Sequence, residues 1–460
     1  MKRSERLRVR EEYVGSGLGD ARRQARLAAV ADALAANPSA SFPVATKTDA
    51  ALEAAYRLLR NDSVSMDGIL AGHYAQTAER AAQEHVVLAL HDTTLFEFSG
   101  ESDRGLGPLR GSGQGFLGHF SLLVTSDEIR RPLGVINVTT IVRPKKRQKP
   151  PEIPGQTAEA GRWKDGVAMA EERVAGATTL VHVMDREGDS YDLWATLSVA
   201  GRRFVIRNNR DKLLEDDIPL SLAMASIETL AERDVHISRR KQAKVPFDRK
   251  RRPARLGRPT HLELSAQAIE IRRPARCDKA LPATLTINFV HVREVGTNGD
   301  DAPIEWMLAT TEAIATAADV ERIVDIYRAR WVIEEYFKSL KTGCAFEKRQ
   351  LESEHTLLNA LAILVPIAWR LLLLRSLSRD REDAPASEAL TPTQLKVLAA
   401  TAREKLSPRP TLREAMLAVA GLGGHIKNNG DPGWIVLGRG FQCLLMLEQG
   451  WIAAKRSDQS

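Results

Sequence analysis

The sequence predicts an α/β protein with a β-rich insertion, flanked by helical N- and C-terminal regions. Three observations predict it. The runs HVVLALHDTT, HFSLLVTS and LGVINVTTIV, which begin near residue 85, read as strands separated by turn-rich segments. A helix over 157–175, the strand TTLVHVMD and a helix near 189–199 follow in alternation. Residues 201–310 then add the strand-like runs RFVIRN, HLELSAQAIEIR, ATLTINFVHVR and IEWMLATT. A chain of 460 residues is too long for one ordinary core. Five segments are expected, at 1–84, 85–200, 201–310, 311–350 and 351–460.

Helix signals open the chain. GLGDARRQARLAAVADALAANP reads as a helix with Asp20 as N-cap and Asn37-Pro38 as its stop. Arg22, Arg23 and Arg26 occupy its first turns, where cations oppose the helix dipole. They serve solvation or an anionic partner. Helices over 48–60 and 66–84 come next, then the three strands as a meander. Asp92 follows the apolar run VVLAL, and Asp185 follows TTLVHVM, so each is expected to end a strand, and the two strands to be neighbours. A single helix is expected over 320–342. Residues 355–460 read as mostly helical, with Gly423-Gly424 and Asn428-Asn429-Gly430 as turns. RRPAR occurs at 251–255 and 272–276, but nothing around it repeats.

Composition bounds the partner class. The chain is 43% hydrophobic and 27% charged, ordinary for a soluble protein. A formal charge of +7 favours a polyanionic partner. The charge is concentrated in RPKKRQK at 143–149 and in RRKQAKVPFDRKRRPARLGR at 239–258. Proline interrupts both runs, so they read as loops, and Arg249, Lys250, Arg251, Arg252 and Arg255 form a basic loop suited to phosphate backbones. Cys277, Cys344 and Cys443 are scattered with no CxxC pair, so neither disulfides nor structural zinc is expected. The apolar run LLNALAILVPIAWRLLLL at 357–374 holds Pro366 and Arg370 and reads as a buried helix pair, not a membrane span. The first residues, MKRSERLRVREEY, are too polar for a signal peptide, so a cytoplasmic compartment is expected.

The sharpest pattern is IYRARWVIEEYFKSLKTG. On one continuous helix, Tyr327, Arg330, Glu334 and Lys341 fall within an arc of roughly 60°. A carboxylate among cations suits a site that holds a metal ion and a phosphate together. With Asp92 and Asp185, three carboxylates from distant segments are what paired-metal phosphoryl transfer needs.

In order and spacing, these features resemble the bacterial DDE transposases of the cut-and-paste insertion-sequence class, the group containing the Tn-five transposase. The resemblance rests on Y-x2-R-x3-E-x6-K at Tyr327, Arg330, Glu334 and Lys341. HDTT around Asp92, MDREGDSYD around Asp185, ALEAAYRLLRND, DRKRRPAR and LGGHIKNNGDPGW support it. It implies a ribonuclease H-like catalytic core, with Asp92, Asp185 and Glu334 as the catalytic, metal-binding triad for two Mg²⁺ ions, Mn²⁺ substituting. It implies that Tyr327, Arg330, Lys341 and Arg207 bind DNA phosphate, and that Arg22, Arg23 and Arg26 read the element end. Trp306 would stack on an everted base during a hairpin intermediate; read without the family it is a core residue. His119 would be structural, and Trp331 is open between core and stacking. The expected partners are double-stranded DNA, at element ends and targets, and a second copy of the chain paired through 351–460. The glycine-rich stretch within 97–118 and the polar stretch at 377–411 depart from the family pattern.

Two other functions fit fewer features. An end-binding regulator that does not cut would be favoured by a missing triad member, and none is missing. The other is a carbohydrate or phosphate-ester hydrolase using two of the carboxylates; a glycosidase cleft would need aromatic platforms, whereas aromatics make up 5% of the chain and basic runs are long.

Overall fold

A computed structural model describes residues 9–100, 103–109, 113–144, 159–176, 178–214, 216–237, 256–296, 303–380, 382–403, 405–426 and 432–457. The chain forms two compact units, Met1–Thr179 with Trp331–Ser460, and Leu180–Arg330.

The first unit begins with a 3₁₀ turn at Val9–Tyr13 and four helices, α1 (Ala21–Ala36), α2 (Phe42–Thr46), α3 (Asp49–Arg60) and α4 (Met66–Ala81). Side-chain caps start three of them. Asp20 accepts from the Arg22 amide, Thr48 from Ala51 and Ser65 from Gly68. The antiparallel strands β1 (Val86–Phe98), β2 (Gly107–Pro108), β3 (Gln114–Thr125) and β4 (Pro132–Ile141) follow, with β3 between β1 and β4. The meander read from the sequence is present. Asp92, however, lies mid-strand opposite Phe120, because pairing with β3 continues to Phe98 opposite Gln114. The glycine-rich stretch has a steric cause. A Cβ on Gly115 would lie 1.9 Å from the Phe96 carbonyl oxygen, and one on Gly107 would lie 2.4 Å from that of Arg143. Helix α5 (Arg162–Arg173) packs on β3 and β4.

The second unit takes up β5 (Thr179–Met184) from Leu180 on, crosses through α6 (Tyr191–Val199) and returns parallel as β6 (Arg203–Asn208). After α7 (Leu220–Ala225) come β7 (Thr229–Ile237), β8 (Arg258–Arg272), β9 (Thr284–Val295) and β10 (Glu305–Thr310). Their order is β5-β6-β10-β9-β8-β7, and α8 (Ala317–Ala329) packs on β6, β7 and β8. Strand β7 was not among the strands read from the sequence, although its partly or fully buried Ala231, Arg233, Val235 and Ile237 alternate with period two.

The chain then re-enters the first unit as α9 (Trp331–Lys338), a π turn (Ser339–Gly343) and a 3₁₀ turn (Phe346–Lys348). Helices α10 (Glu354–Asp380), α11 (Pro392–Thr401), α12 (Leu412–Leu422) and α13 (Trp434–Ser457) complete it. The expected single helix over 320–342 is therefore three pieces. The expected pair at 357–374 is one helix, α10, which carries Pro366 inside it. Glu354–Leu377 is long and apolar enough to cross a membrane, but its most apolar window is 83% buried inside the unit. Its neighbours are α3, α4 and β4. Among the described residues Cys277, Cys344 and Cys443 are free.

Candidate active site

In the first unit β1 sends alternate side chains to opposite faces. Thr93 bonds Arg162 of α5, and His91 and His119 stack at 6.0 Å, so odd positions face α5. Even positions face α9. Phe96 and Phe98 meet Phe346 at 5.0 and 5.5 Å, and Phe120, opposite Asp92, meets Tyr336 and Phe337 of α9 at 5.7 and 5.4 Å. Asp92 and Glu334 are thus both half-buried on the α9 side, carried on an aromatic layer whose ring pairs each contribute about 0.5–1.5 kcal/mol beyond their burial. The Asp92 carboxylate accepts from the Thr93 amide at 2.7 Å. Neighbouring Glu335 has a different task. Burial raises its pKa, but Lys338 and Arg375, each at 2.6 Å, more than offset this and hold it below its ordinary value. Lys341 donates to the Leu95 carbonyl and stands 3.3 Å from Glu347.

His119, expected to be structural, lies on the α5 side of β3. It is buried, shares a hydrogen bond with the Thr93 hydroxyl through Nδ1 at 3.0 Å and meets Trp163 edge-on. Burial and the charge of Arg162 push its pKa down to about 3. Trp331 is exposed, with Lys338 5.0 Å over its ring.

The second unit gathers a different group. Asp185 leaves β5 and caps a 3₁₀ turn, accepting from the Glu187 amide at 2.7 Å. Tyr327 of α8 is buried, and burial raises its pKa. The cations Arg330 and Arg207 oppose the shift, Arg207 also through a hydrogen bond, and the Asp185 charge reinforces it. One phenol therefore lies within electrostatic reach of two guanidiniums and the aspartate. Trp306 of β10 packs edge-to-face on Tyr327 at 5.2 Å and 69°. Arg207 also donates to the Glu305 carbonyl at 3.3 Å.

A buried pair fixes this group and was missed in the sequence. The Asp189 side chain is 1% exposed and accepts from the amides of Asn209 and Arg210 at 2.8 and 2.7 Å and from the Lys212 ammonium. It ties the turn after Asp185 to the loop after Arg207. Its only sequence signal is the second aspartate of MDREGD.

The stretch that carries Tyr327, Arg330, Glu334 and Lys341 is not the one continuous helix on which the arc was drawn. Tyr327 and Arg330 belong to α8 and its C-cap, Glu334 to α9, and Lys341 to the π turn. At the break the Arg330 amide bonds Tyr327 three residues back, and five-residue spacing in the π turn rotates the residues beyond it. The structure brings Asp92 and Glu334 to one side of β1, and Asp185, Arg207, Tyr327 and Arg330 to another cluster in the other unit. Among the described residues, no group of three or more His, Cys, Asp or Glu side chains is placed to hold a metal ion. As donors, the half-buried carboxylates of Asp92, Asp185 and Glu334 suit a hard divalent cation.

On α1, Arg22 and Arg26 are exposed, whereas Arg23 donates to the Leu18 carbonyl at 3.2 Å. Arg249, Lys250, Arg251, Arg252 and Arg255 lie outside the described residues. Among the described residues, the solvent face of β7–β10 is mixed in charge. It carries Glu232, Asp234, Glu263 and Glu305, paired with His261, Arg293 and His291.

Two family models match the chain. One, transposase DNA-binding, covers residues 8–64; the other, transposase DDE domain, covers residues 152–369. Together the two matches support a DDE transposase. The DDE domain implies a ribonuclease H-like core. Asp185, Arg207, Trp306, Tyr327, Arg330, Glu334 and Lys341 fall within its match, and Arg22, Arg23 and Arg26 within the DNA-binding match, while Asp92 lies between the two. Among solved structures, a cryo-EM structure of a piggyBac transposase synaptic complex with hairpin DNA is similar at 13% identity and a TM-score of 0.34. The match covers 68% of this chain and 52% of that one, so the chain spans about half the length of that relative.

Proposed function

We propose that this chain cuts DNA at the ends of a mobile element and joins those ends to a target, by cut-and-paste transposition through a hairpin intermediate. The observation that carries the reading is that the Arg207 and Arg330 guanidiniums and the Asp185 carboxylate all lie within electrostatic reach of the Tyr327 phenol. Such a cluster grips a phosphodiester next to a carboxylate. The guanidiniums fork onto phosphate oxygens, and Tyr327, whose raised pKa keeps it protonated, donates its hydroxyl hydrogen. Lys341, moved off the Leu95 carbonyl, adds a point charge.

Asp92, Asp185 and Glu334 would together hold divalent cations, Mg²⁺ with Mn²⁺ substituting. When bound, a pair of such ions activates water or a 3′-hydroxyl and neutralises charge on the leaving oxygen. Trp306, held edge-on by Tyr327, would present its indole to an unstacked base. Arg22 and Arg26 would meet the element end, with Arg23 bracing the start of α1. Two ends must be held at once, so a dimer assembles on DNA, paired through the C-terminal helices.

The test uses the full chain, Mg²⁺ and a duplex copied from the DNA that borders the coding region. Nicks followed by hairpin ends are expected. A clear gel shift without any cut product would instead assign the chain to end-binding regulation.

A further inference from the structure

We propose that Arg349 is a positioning residue that couples the DNA-binding domain at residues 8–64 to Lys341. The reaction it would serve rests on the transposase reading above. Lys341 sits in the π turn Ser339–Gly343, closed by the Cys344 amide donating to the Ser339 carbonyl at 2.8 Å. The chain then passes through Ala345, whose φ of 47° is left-handed, and the 3₁₀ turn Phe346–Lys348 to Arg349. Arg349 is 4% exposed. Its guanidinium donates to the carbonyls of Cys344 at 2.8 Å, Pro38 at 2.6 Å and Ala40, and lies 5.6 Å from the Phe42 ring. Among the described residues no carboxylate pairs with it.

A buried guanidinium bonded only to carbonyls, with its Nε left without a hydrogen-bond partner, is an expensive way to fill space, since an apolar side chain would pack there without desolvating a charge. What it supplies is rigid geometry. One planar fork joins the loop between α1 and α2 to the carbonyl at the end of the π turn. The docking of the DNA-binding domain does not depend on this fork. Asn359 donates to the Leu59 and Val64 carbonyls at 3.0 Å each, His355 is 3.2 Å from the Asn61 carbonyl, and Arg60 pairs with Glu352 at 2.9 Å. Removing Arg349 should leave the domain in place and loosen only the link from residues 38–40 to the turn that carries Lys341.

The test is amide hydrogen exchange on the full chain, comparing the native protein with Arg349→Met and Arg349→Lys. Lysine keeps the charge but cannot fork across two segments. Without DNA, exchange at 339–345 is expected to rise about tenfold in both variants while 53–64 stays unchanged. With the bordering-DNA duplex, native protein should gain protection at both 36–42 and 339–345, and the variants at 36–42 alone. Duplex affinity should be kept, and cleavage at saturating duplex should fall by up to about a hundredfold, as misplacement of a binding group predicts. Exchange at 339–345 equal to native in folded Arg349→Lys overturns the proposal, as does loss at 53–64 in step with 339–345. If Arg349→Met fails to fold, Arg349→Lys decides. If the native chain cuts nothing, the transposase reading fails and the exchange comparison without DNA still judges the coupling.

Discussion

The two units hold their functional side chains by opposite means. In the first, Asp92 and Glu334 ride on aromatic packing among Phe96, Phe98, Phe116, Phe120, Tyr336, Phe337 and Phe346. In the second, Asp185, Arg207 and Tyr327 are set by charge. Asp189 with Lys212 closes the loops, Arg233 pairs with Asp325 on α8 at 2.8 Å, and Arg203 pairs with the buried Glu312. Apolar packing tolerates salt and pH but answers to volume. A polar network answers to the loss of any one partner, because the other is left buried and unpaired.

The largest expected effect breaks the chemistry on either side alike. Asp92→Ala, Asp185→Ala and Glu334→Ala should each reduce cleavage of the bordering-DNA duplex to background while the gel shift persists. Near-normal cutting by any one of them removes that residue from the triad.

The next pair separates the two modes of support. Phe120→Ala should destabilise the first unit by about 3–5 kcal/mol, as loss of a buried phenyl does. Lys212→Met should cost about 3–5 kcal/mol by stranding the Asp189 carboxylate. Asp189→Asn with Lys212→Met should recover much of that loss, because no charge is then stranded. Urea unfolding reads all three variants, and a double variant as unstable as Lys212→Met would show that the network does not work by charge.

A smaller effect concerns pH. Burial raises the pKa of Glu12, but His73 and Arg80 outweigh it and hold the group at about 2, against 4.5 ordinarily. Burial lowers His73, whose Nε2 accepts from the Val135 amide, so its Nδ1 hydrogen donates to Glu12. Both shifts run downward. The stability they contribute is therefore complete above the unfolded values, erodes as pH falls below about 6.5 for His73, and drops further between about 4.5 and 2 for Glu12. Thermal melts from pH 7 to 2 should show this decline, and Glu12→Gln should flatten its lower part. An unchanged slope in that variant would assign the acid loss elsewhere.

The smallest effect is kinetic. Trp306→Ala should slow hairpin closure more than first-strand nicking, read by denaturing gel time courses. Equal slowing would make Trp306 only the packing partner of Tyr327.

Much of this was legible because it depends on short stretches of chain. Asp20, Thr48 and Ser65 cap helices through amides two or three residues away, and β1, β3 and β4 announce themselves by residue type and turns. The motif residues, too, stand at spacings that a linear reading can count. What tertiary structure alone decided depends on contacts between distant segments. Glu334 and Lys341 lie on different elements because α9 ends in a π turn, whose Ser339 hydroxyl donates to the Ala368 carbonyl of α10 at 2.8 Å. Asp92 lies within its strand because β3 extends the pairing past it. The Asp189–Lys212 pair and the carbonyl cage of Arg349 join residues 23 and 309–311 positions apart, and nothing local to either residue specifies a partner at that range. The sequence by itself determined which side chains were available for the chemistry. The folded chain decided which of them share a surface, because burial and hydrogen-bond satisfaction are settled over the whole unit at once.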